Sequence, residues 1–212
     1  MKDLSVSTVV LGHIHSNCYV VENDTSFVVI DPGFKSENVE NYVKSLIKGG
    51  KIGAVLLTHC HFDHISGANE FRVMGLRIMA SAIDGRTIAN NDYNLSTRFH
   101  FNVEPVIVDE LFEDECIVKI GDLMVEVIFT PGHTAGGVCY KIGNMLFSGD
   151  TLFKGSFGRT DCPGGDIKVE QQSCFKLFEL ESDIIVYPGH GTRTTIGVEK
   201  NTNPILDIEE YI

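Results

Sequence analysis

No stretch of this chain approaches the ~18 consecutive apolar residues of a membrane-spanning helix. Its opening residues, Met1-Lys2-Asp3-Leu4, hold no extended apolar segment of the kind that directs secretion. The six cysteines (Cys18, Cys60, Cys116, Cys139, Cys162 and Cys174) form no C-x-x-C pair. These absences lead us to expect a cytoplasmic protein with reduced, mostly buried thiols, and no membrane partner. Basic residues are scarce as well: 17 Lys and Arg against 29 Asp and Glu leave a net charge of −12. Phosphate binding depends on Lys and Arg, so nucleic acid is not an expected partner. We find no repeat, low-complexity tract or linker, and the length suits one domain over residues 1–212.

Hydrophobic patterning predicts short strands at 6–11, 18–21 and 27–30, with Asp31-Pro32-Gly33 ending the third. Ser36 then opens a helix carrying Val39, Val43, Leu46 and Ile47 at helical spacing, stopped by Gly49-Gly50. A strand at 52–57, a helix starting near His64 or Ser66 and ending before Gly75, and a strand at 77–80 follow. From Asp84 to Glu115 the pattern weakens to a short helix and a polar loop. Strands at 117–120, 124–130, 137–142 and 145–148, a helix at 166–180, a strand at 184–187 and a short helix at 196–201 complete the chain. Two blocks of strands, each followed by helices, imply two sheets packed face to face with helices outside.

What is abundant is metal-ligand chemistry. The run Thr58-His59-Cys60-His61-Phe62-Asp63-His64 puts three imidazoles and a carboxylate within six residues, directly after the apolar Ala54, Val55, Leu56 and Leu57. In an extended segment His59 and His61 point to one side and can grip one cation, while Cys60 points away as a packed thiol. Asp63 and His64, where the chain turns, can reach a second cation. Pro131-Gly132-His133 and Pro188-Gly189-His190 repeat one tight turn that projects a histidine, and Ser148-Gly149-Asp150 adds a carboxylate able to bridge two ions. Seven such side chains exceed the needs of one tetrahedral ion. They suit two divalent ions ~3.5–4 Å apart that share Asp150 and a water-derived hydroxide. His13, His15 and His100 lack this context and read as solvated.

The metal motif resembles that of the metallo-β-lactamase superfamily. Further stretches carry the resemblance over nearly the whole chain, among them Asn17-Cys18-Tyr19, Asp31-Pro32-Gly33, Thr130-Pro131-Gly132-His133-Thr134 and Ser148-Gly149-Asp150-Thr151. Tyr187-Pro188-Gly189-His190-Gly191 and Asn203-Pro204 continue it, and Gly158-Arg159-Thr160-Asp161 narrows it to the short glyoxalase II-like (hydroxyacylglutathione hydrolase-like) branch. The resemblance implies a four-layer αββα sandwich of the α/β (α+β) class with the metals at one edge. It assigns His59, His61 and His133 to one ion, Asp63, His64 and His190 to the other, and Asp150 to both.

The activity so implied is hydrolysis of a small-molecule thioester by attack of the metal-bridging hydroxide, with Asp63 also accepting a proton. The ions are expected to be zinc, with iron or manganese compatible with the same ligands. Only 191–212 follow the last ligand, where glyoxalase II proper carries a helical glutathione-binding domain. Glutathione is therefore an expected carrier without a dedicated site. Arg159 and Lys154 are candidate substrate cations, although Arg159 can equally pair with Asp161. Residues 92–100, with Tyr93, Asn94, Ser96 and Arg98, read either as a plain surface loop or as one facing substrate. Competing readings are a mononuclear iron persulfide dioxygenase using His59, His133 and Asp150, a lactonase or other ester hydrolase, and a non-catalytic metal-binding module. Oligomeric state is not encoded in any pattern we recognise.

Overall fold

Along the buried strands in the first half of the chain neighbouring side chains alternate between two apolar environments, and that alternation builds the layers. β1 (Ser5–Leu11), β2 (Ser16–Glu22) and β3 (Ser26–Ile30) pair antiparallel. After helix α1 (Glu37–Lys48), β4 (Ile52–Leu56) adds in parallel beside β3. Helices α2 (Phe62–Ile65) and α3 (Ala68–Arg72) then lead to β5 (Arg77–Ser81), and α4 (Ala82–Thr87) precedes β6 (Glu110–Phe112). The first sheet runs in the order β1-β2-β3-β4-β5-β6. This description comes from a computed structural model covering residues 4–208; the ends of the expected 1–212 domain, 1–3 and 209–212, lie outside the described residues.

The second sheet starts as a meander of β7 (Cys116–Ile120), β8 (Leu123–Phe129), β9 (Val138–Ile142) and β10 (Met145–Gly149). A hairpin of β11 (Leu152–Phe153) and β12 (Ser156–Phe157) leads to α5 (Ile167–Phe178), whose N-cap Asp166 accepts from the Lys168 and Val169 amides. β13 (Ile185–Pro188) joins β10 in parallel, followed by β14 (Thr194–Thr195), α6 (Ile196–Thr202) and a 3-10 turn at Pro204–Asp207. The order is β14-β13-β10-β9-β8-β7.

Val28, Ile30, Ala54 and Leu56 face Val125, Val127, Val138, Tyr140 and Phe147 of the second sheet, forming the core between sheets. Their neighbours Phe27, Val29, Val55 and Leu57 point the other way, onto Val39, Val43 and Leu46 of α1 and Phe71 of α3. Cys139, Leu146 and Val186 likewise turn outward onto Cys174 and Leu177 of α5 and Ile196 of α6. Strands buried on both faces read as continuous apolar runs, as β3, β4 and β10 do. The result is the αββα sandwich. Among the described residues no helix is long and apolar enough to cross a membrane.

Where one helix is expected between His64 and Gly75, two short ones form, because the chain bends at Ser66-Gly67. The Gly67 amide donates to Pro32 O at 2.8 Å there, and a side chain at 67 would collide with the Pro32 and Phe34 backbone. β6, β11, β12 and β14 are only two or three residues long and leave no period in the sequence.

At one edge the two sheets are pinned together. Tyr140 Oη donates to Leu57 O at 2.6 Å, and the Val138 amide to Thr58 O at 2.9 Å. On the other side Tyr19 Oη donates to Pro188 O at 2.5 Å and the Asn17 amide to Gly189 O at 2.7 Å. Between these pins lie the loops that follow β4, β8, β10 and β13.

Candidate metal centre

The strand ends carry the seven expected side chains to one place. His59 and His61 leave β4, with Asp63 and His64 on the first turn of α2, while His133, Asp150 and His190 follow β8, β10 and β13. Their donor atoms fall into two sets, His59–His61–His133 and Asp63–His64–His190, each within 4.8 Å. His61 Nδ1 stands 2.9 Å from His133 Nε2. His64 Nε2 lies 3.3 Å from His190 Nε2 and 3.4 Å from Asp63 Oδ2, and His190 Nε2 lies 3.2 Å from that same oxygen. Asp150 sits between the sets. Its Oδ1 is 3.4 Å from His64 Nε2, and its Oδ2 is 3.5 Å from His133 Nε2 and 3.6 Å from His190 Nε2.

These spacings have a physical meaning. Donors ~2.1 Å from a zinc-sized ion at tetrahedral angles stand about 3.4 Å apart, and the separations among Asp63, His64 and His190 and from Asp150 are 3.2–3.6 Å. His59 Nε2 and Asp150 Oδ1 are buried without a hydrogen-bond partner, a costly state for polar atoms unless a cation completes them. The residues present fit a pair of divalent ions.

The outer nitrogens of four of these imidazoles are held by the protein. His133 Nδ1 donates to Arg159 O at 2.7 Å and His190 Nδ1 to His15 O at 3.3 Å. His59 Nδ1 meets Thr58 Oγ1 at 3.0 Å, and His64 Nδ1 meets Asp31 Oδ2 at 3.0 Å. Anchoring the outer nitrogen fixes the ring and leaves the inner lone pair facing the site. Asp31, His59 and His64 form a third close group. Asp31 is a brace instead of a cage wall, since its Oδ1 already accepts from the Thr58 amide at 2.8 Å and its Oδ2 from Thr58 Oγ1 at 2.6 Å.

Charge is distributed unevenly. Burial, with the neighbouring imidazoles, holds His59 and His61 well below the usual imidazole value, so both are neutral and free to donate lone pairs. Around the other set burial opposes charge too, but Asp63 and Asp150 outweigh it and raise His64, and the hydrogen bond with Asp63 raises His190. Burial would lift Asp63, yet His64 and His190 hold it well below the carboxylate range. Cationic charge is thus favoured at the Asp63–Asp150 side.

A cavity of about 370 Å³ opens above the donors. Its floor is His61, Asp63, His133, Asp150 and His190, and its walls are Ile14, Phe62, Leu95, Phe99, Phe153 and Phe157, with Arg159 at the side. Arg159 pairs bidentately with Asp161, Nε to Oδ1 at 2.6 Å and Nη2 to Oδ2 at 2.7 Å. Lys154 is exposed and does not line the cavity. The 92–100 segment does face it, through Leu95 and Phe99 instead of the polar residues singled out from sequence. His13 packs near Phe34, His15 serves through its carbonyl, and His100 is exposed. Cys60 is wholly buried beneath the site, and burial keeps it a thiol.

Sequence reasoning passed over three buried carboxyl residues. Asp31 looks like a turn residue, and only its position at a strand end hinted otherwise. Asp84 Oδ2 accepts from the Cys60 amide at 3.0 Å and Thr134 Oγ1 at 2.8 Å, tying the two ligand loops together across the sheets. Glu170, on α5 beneath the His133 turn, is pushed up to about 9 by burial. No motif marks either one.

Residues 11–190 match the profile of the metallo-beta-lactamase superfamily, a span that ends on the last donor, His190. The chain belongs to the metallo-beta-lactamase superfamily. It is 34% identical over 202 residues to the probable metallo-hydrolase YqgX of Bacillus subtilis, covering 93% of this chain and 95% of that one. Against the hydroxyacylglutathione hydrolase GloC of Haemophilus influenzae it is 32% identical over 211 residues, 96% and 99% of the two chains. Among solved structures, the BLEG-1 B3 metallo-beta-lactamase superposes with a TM-score of 0.84 at 34% identity, over 95% of this chain and 99% of that one. TTHA1623 in a di-iron-bound form gives 0.78 at 34%, over 93% and 98%. The superfamily of metallo-hydrolases and the αββα layers expected from sequence are both established, as is a His/Asp cluster suited to divalent metal.

Proposed function

We propose that this protein is a dinuclear metal-dependent hydrolase of small-molecule thioesters, with zinc as the resident ion. The observation that carries it is the pair of donor sets sharing Asp150 at tetrahedral-edge spacing. His59, His61 and His133 would hold one ion and Asp63, His64 and His190 the other, with one oxygen of Asp150 turned toward His64 and the other toward His133. When bound, the ions lower the pKa of water and polarise a carbonyl. Asp63, already a ligand, is the carboxylate positioned to accept a proton from the attacking water.

The cavity itself favours a thioester over an amide or ordinary ester. Among the described residues lining it, every carboxylate and imidazole belongs to the donor sets or is Asp150 between them. The one acid this gives is Asp63 after it has taken the water's proton, and no separate group stands by for a leaving group. A thiol, with a pKa of about 8.5, departs as the thiolate without that help. The single-iron reading through His59, His133 and Asp150 leaves Asp63, His64 and His190 arranged at 3.2–3.4 Å for no purpose. The relative named a hydroxyacylglutathione hydrolase supports this reaction class.

The test is elemental analysis of the purified protein, then hydrolysis of S-D-lactoylglutathione and simple acyl thioesters by the native chain and by His59→Ala and Asp150→Ala. Two metal equivalents and thioester turnover that falls at least about a hundredfold in both variants are expected. Undiminished turnover in both would end the proposal.

A further inference from the structure

The walls of the cavity make a statement about the ligand that the donor sets do not. Six side chains, Ile14, Phe62, Leu95, Phe99, Phe153 and Phe157, surround the opening above the metal centre. Among the described residues, outside the donor sets and Asp150, the one charged side chain lining it is Arg159, and its guanidinium is clamped by Asp161 through two bonds. A glutathione moiety brings two carboxylates and an ammonium, and these walls offer little to pair with them. Unpaired charges against apolar walls are penalised.

Phe99 supplies a second observation. It stands at the cavity rim 44% exposed, its ring 5.2 Å from that of buried Phe62. Phe62 in turn meets Phe101 at 5.2 Å, and Phe101 meets Phe34 at 5.4 Å. An aromatic shelf thus runs from beside Asp63 out to solvent, and its outermost ring is left for a ligand to cover. Leu95, held in place by the buried Asn94 and Ser96 on either side, forms the adjoining wall.

We infer that the substrate portion seated in this cavity is an apolar acyl chain, aliphatic or aryl, and that Leu95 and Phe99 determine specificity for it. This deepens the thioester reading and rests on it for the reaction, but not for the ligand's chemistry. The thioester carbonyl reaches the metal floor between Asp63 and His133, the acyl chain lies along Phe62 and Phe99, and the thiol carrier projects toward solvent. Water attacks the acyl carbon, the carbon–sulfur bond breaks, and the products are a carboxylic acid and a thiol.

The experiment uses the full metal-loaded chain and thioesters of one thiol carrying acetyl, butanoyl, hexanoyl, octanoyl or phenylacetyl groups. The matching free carboxylates are titrated by calorimetry as a readout independent of turnover. Partial burial of each added methylene predicts that kcat/KM and carboxylate affinity both rise about twofold to fourfold per methylene as far as hexanoyl. In Phe99→Ser the hexanoyl-to-acetyl ratio should fall about tenfold, while Phe99→Leu retains most of it. Turnover and binding that stay flat with chain length would overturn the inference and leave the thioester reading standing. Graded binding with no thioester cleaved would support the inference and overturn that reading. Neither turnover nor graded binding would overturn both.

Discussion

Asp31→Asn is the substitution that most directly tests how the metal centre is held. Asp31 is buried, at φ +50°, a conformation that Asp and Asn tolerate better than most residues, so the change keeps both shape and backbone. Its Oδ1 accepts from the Thr58 amide at 2.8 Å, and its Oδ2 from Thr58 Oγ1 at 2.6 Å and His64 Nδ1 at 3.0 Å. An asparagine must place its NH2 group on one side or the other. Opposite the Thr58 amide it would strand a backbone donor that cannot move, at a cost of about 1–3 kcal/mol. Opposite His64 it meets a ring that can shift its proton from Nδ1 to Nε2, and Thr58 Oγ1 can rotate to accept. The amide therefore turns toward His64, and the proton arrives on the nitrogen that faces Asp63, Asp150 and His190. Loss of such an orienting contact weakens metal binding about 10- to 100-fold. Competition with graded chelators, followed by elemental analysis, should find one ion retained and one lost at moderate chelator strength, with an unchanged far-ultraviolet spectrum. If Asp31→Asn keeps two ions as tightly as the native chain, the brace we assign to Asp31 does not exist.

Removing the metal should itself destabilise the fold. Ligand held at 100 times its dissociation constant contributes about 2.7 kcal/mol per site. With both sites emptied, about 5.4 kcal/mol, a chelated sample should melt roughly 10–20 °C below the zinc-loaded one and recover on adding zinc, and an unchanged Tm would count against the site. Tyr140→Phe tests the seam between sheets. It removes the buried donor to Leu57 O and should lower stability by about 1–2 kcal/mol in urea, with metal content preserved; no change would mean the seam carries no load.

How much of this was legible beforehand depended on period and on chemistry. The runs Phe27-Val28-Val29-Ile30 and Ala54-Val55-Leu56-Leu57 announced doubly buried strands because both faces are apolar, and the seven candidate ligand side chains stood out by residue type and turn context. The helix through Ser66-Gly67 was misjudged because its break is set by the Pro32 carbonyl, far away in sequence. Leu95 and Phe99 lie in irregular backbone, where no repeat distinguishes a cavity wall from a loop. Asp31 and Asp84 act by hydrogen bonding to backbone amides and hydroxyls across the fold, which leaves no local trace. Lys154, chosen for its nearness to Asp150 in sequence, points away because the β11–β12 hairpin turns between Phe153 and Ser156.

Each donor set draws on both halves of the chain: His59 and His61 need His133, and Asp63 and His64 need His190. During synthesis, then, neither proposed set can close before its distant partner has emerged, His133 for the first and His190 for the second, and the two leaves of the sandwich have met. Metal content becomes a tally of finished molecules, and a species misassembled at the seam should be recognisable by its empty hands.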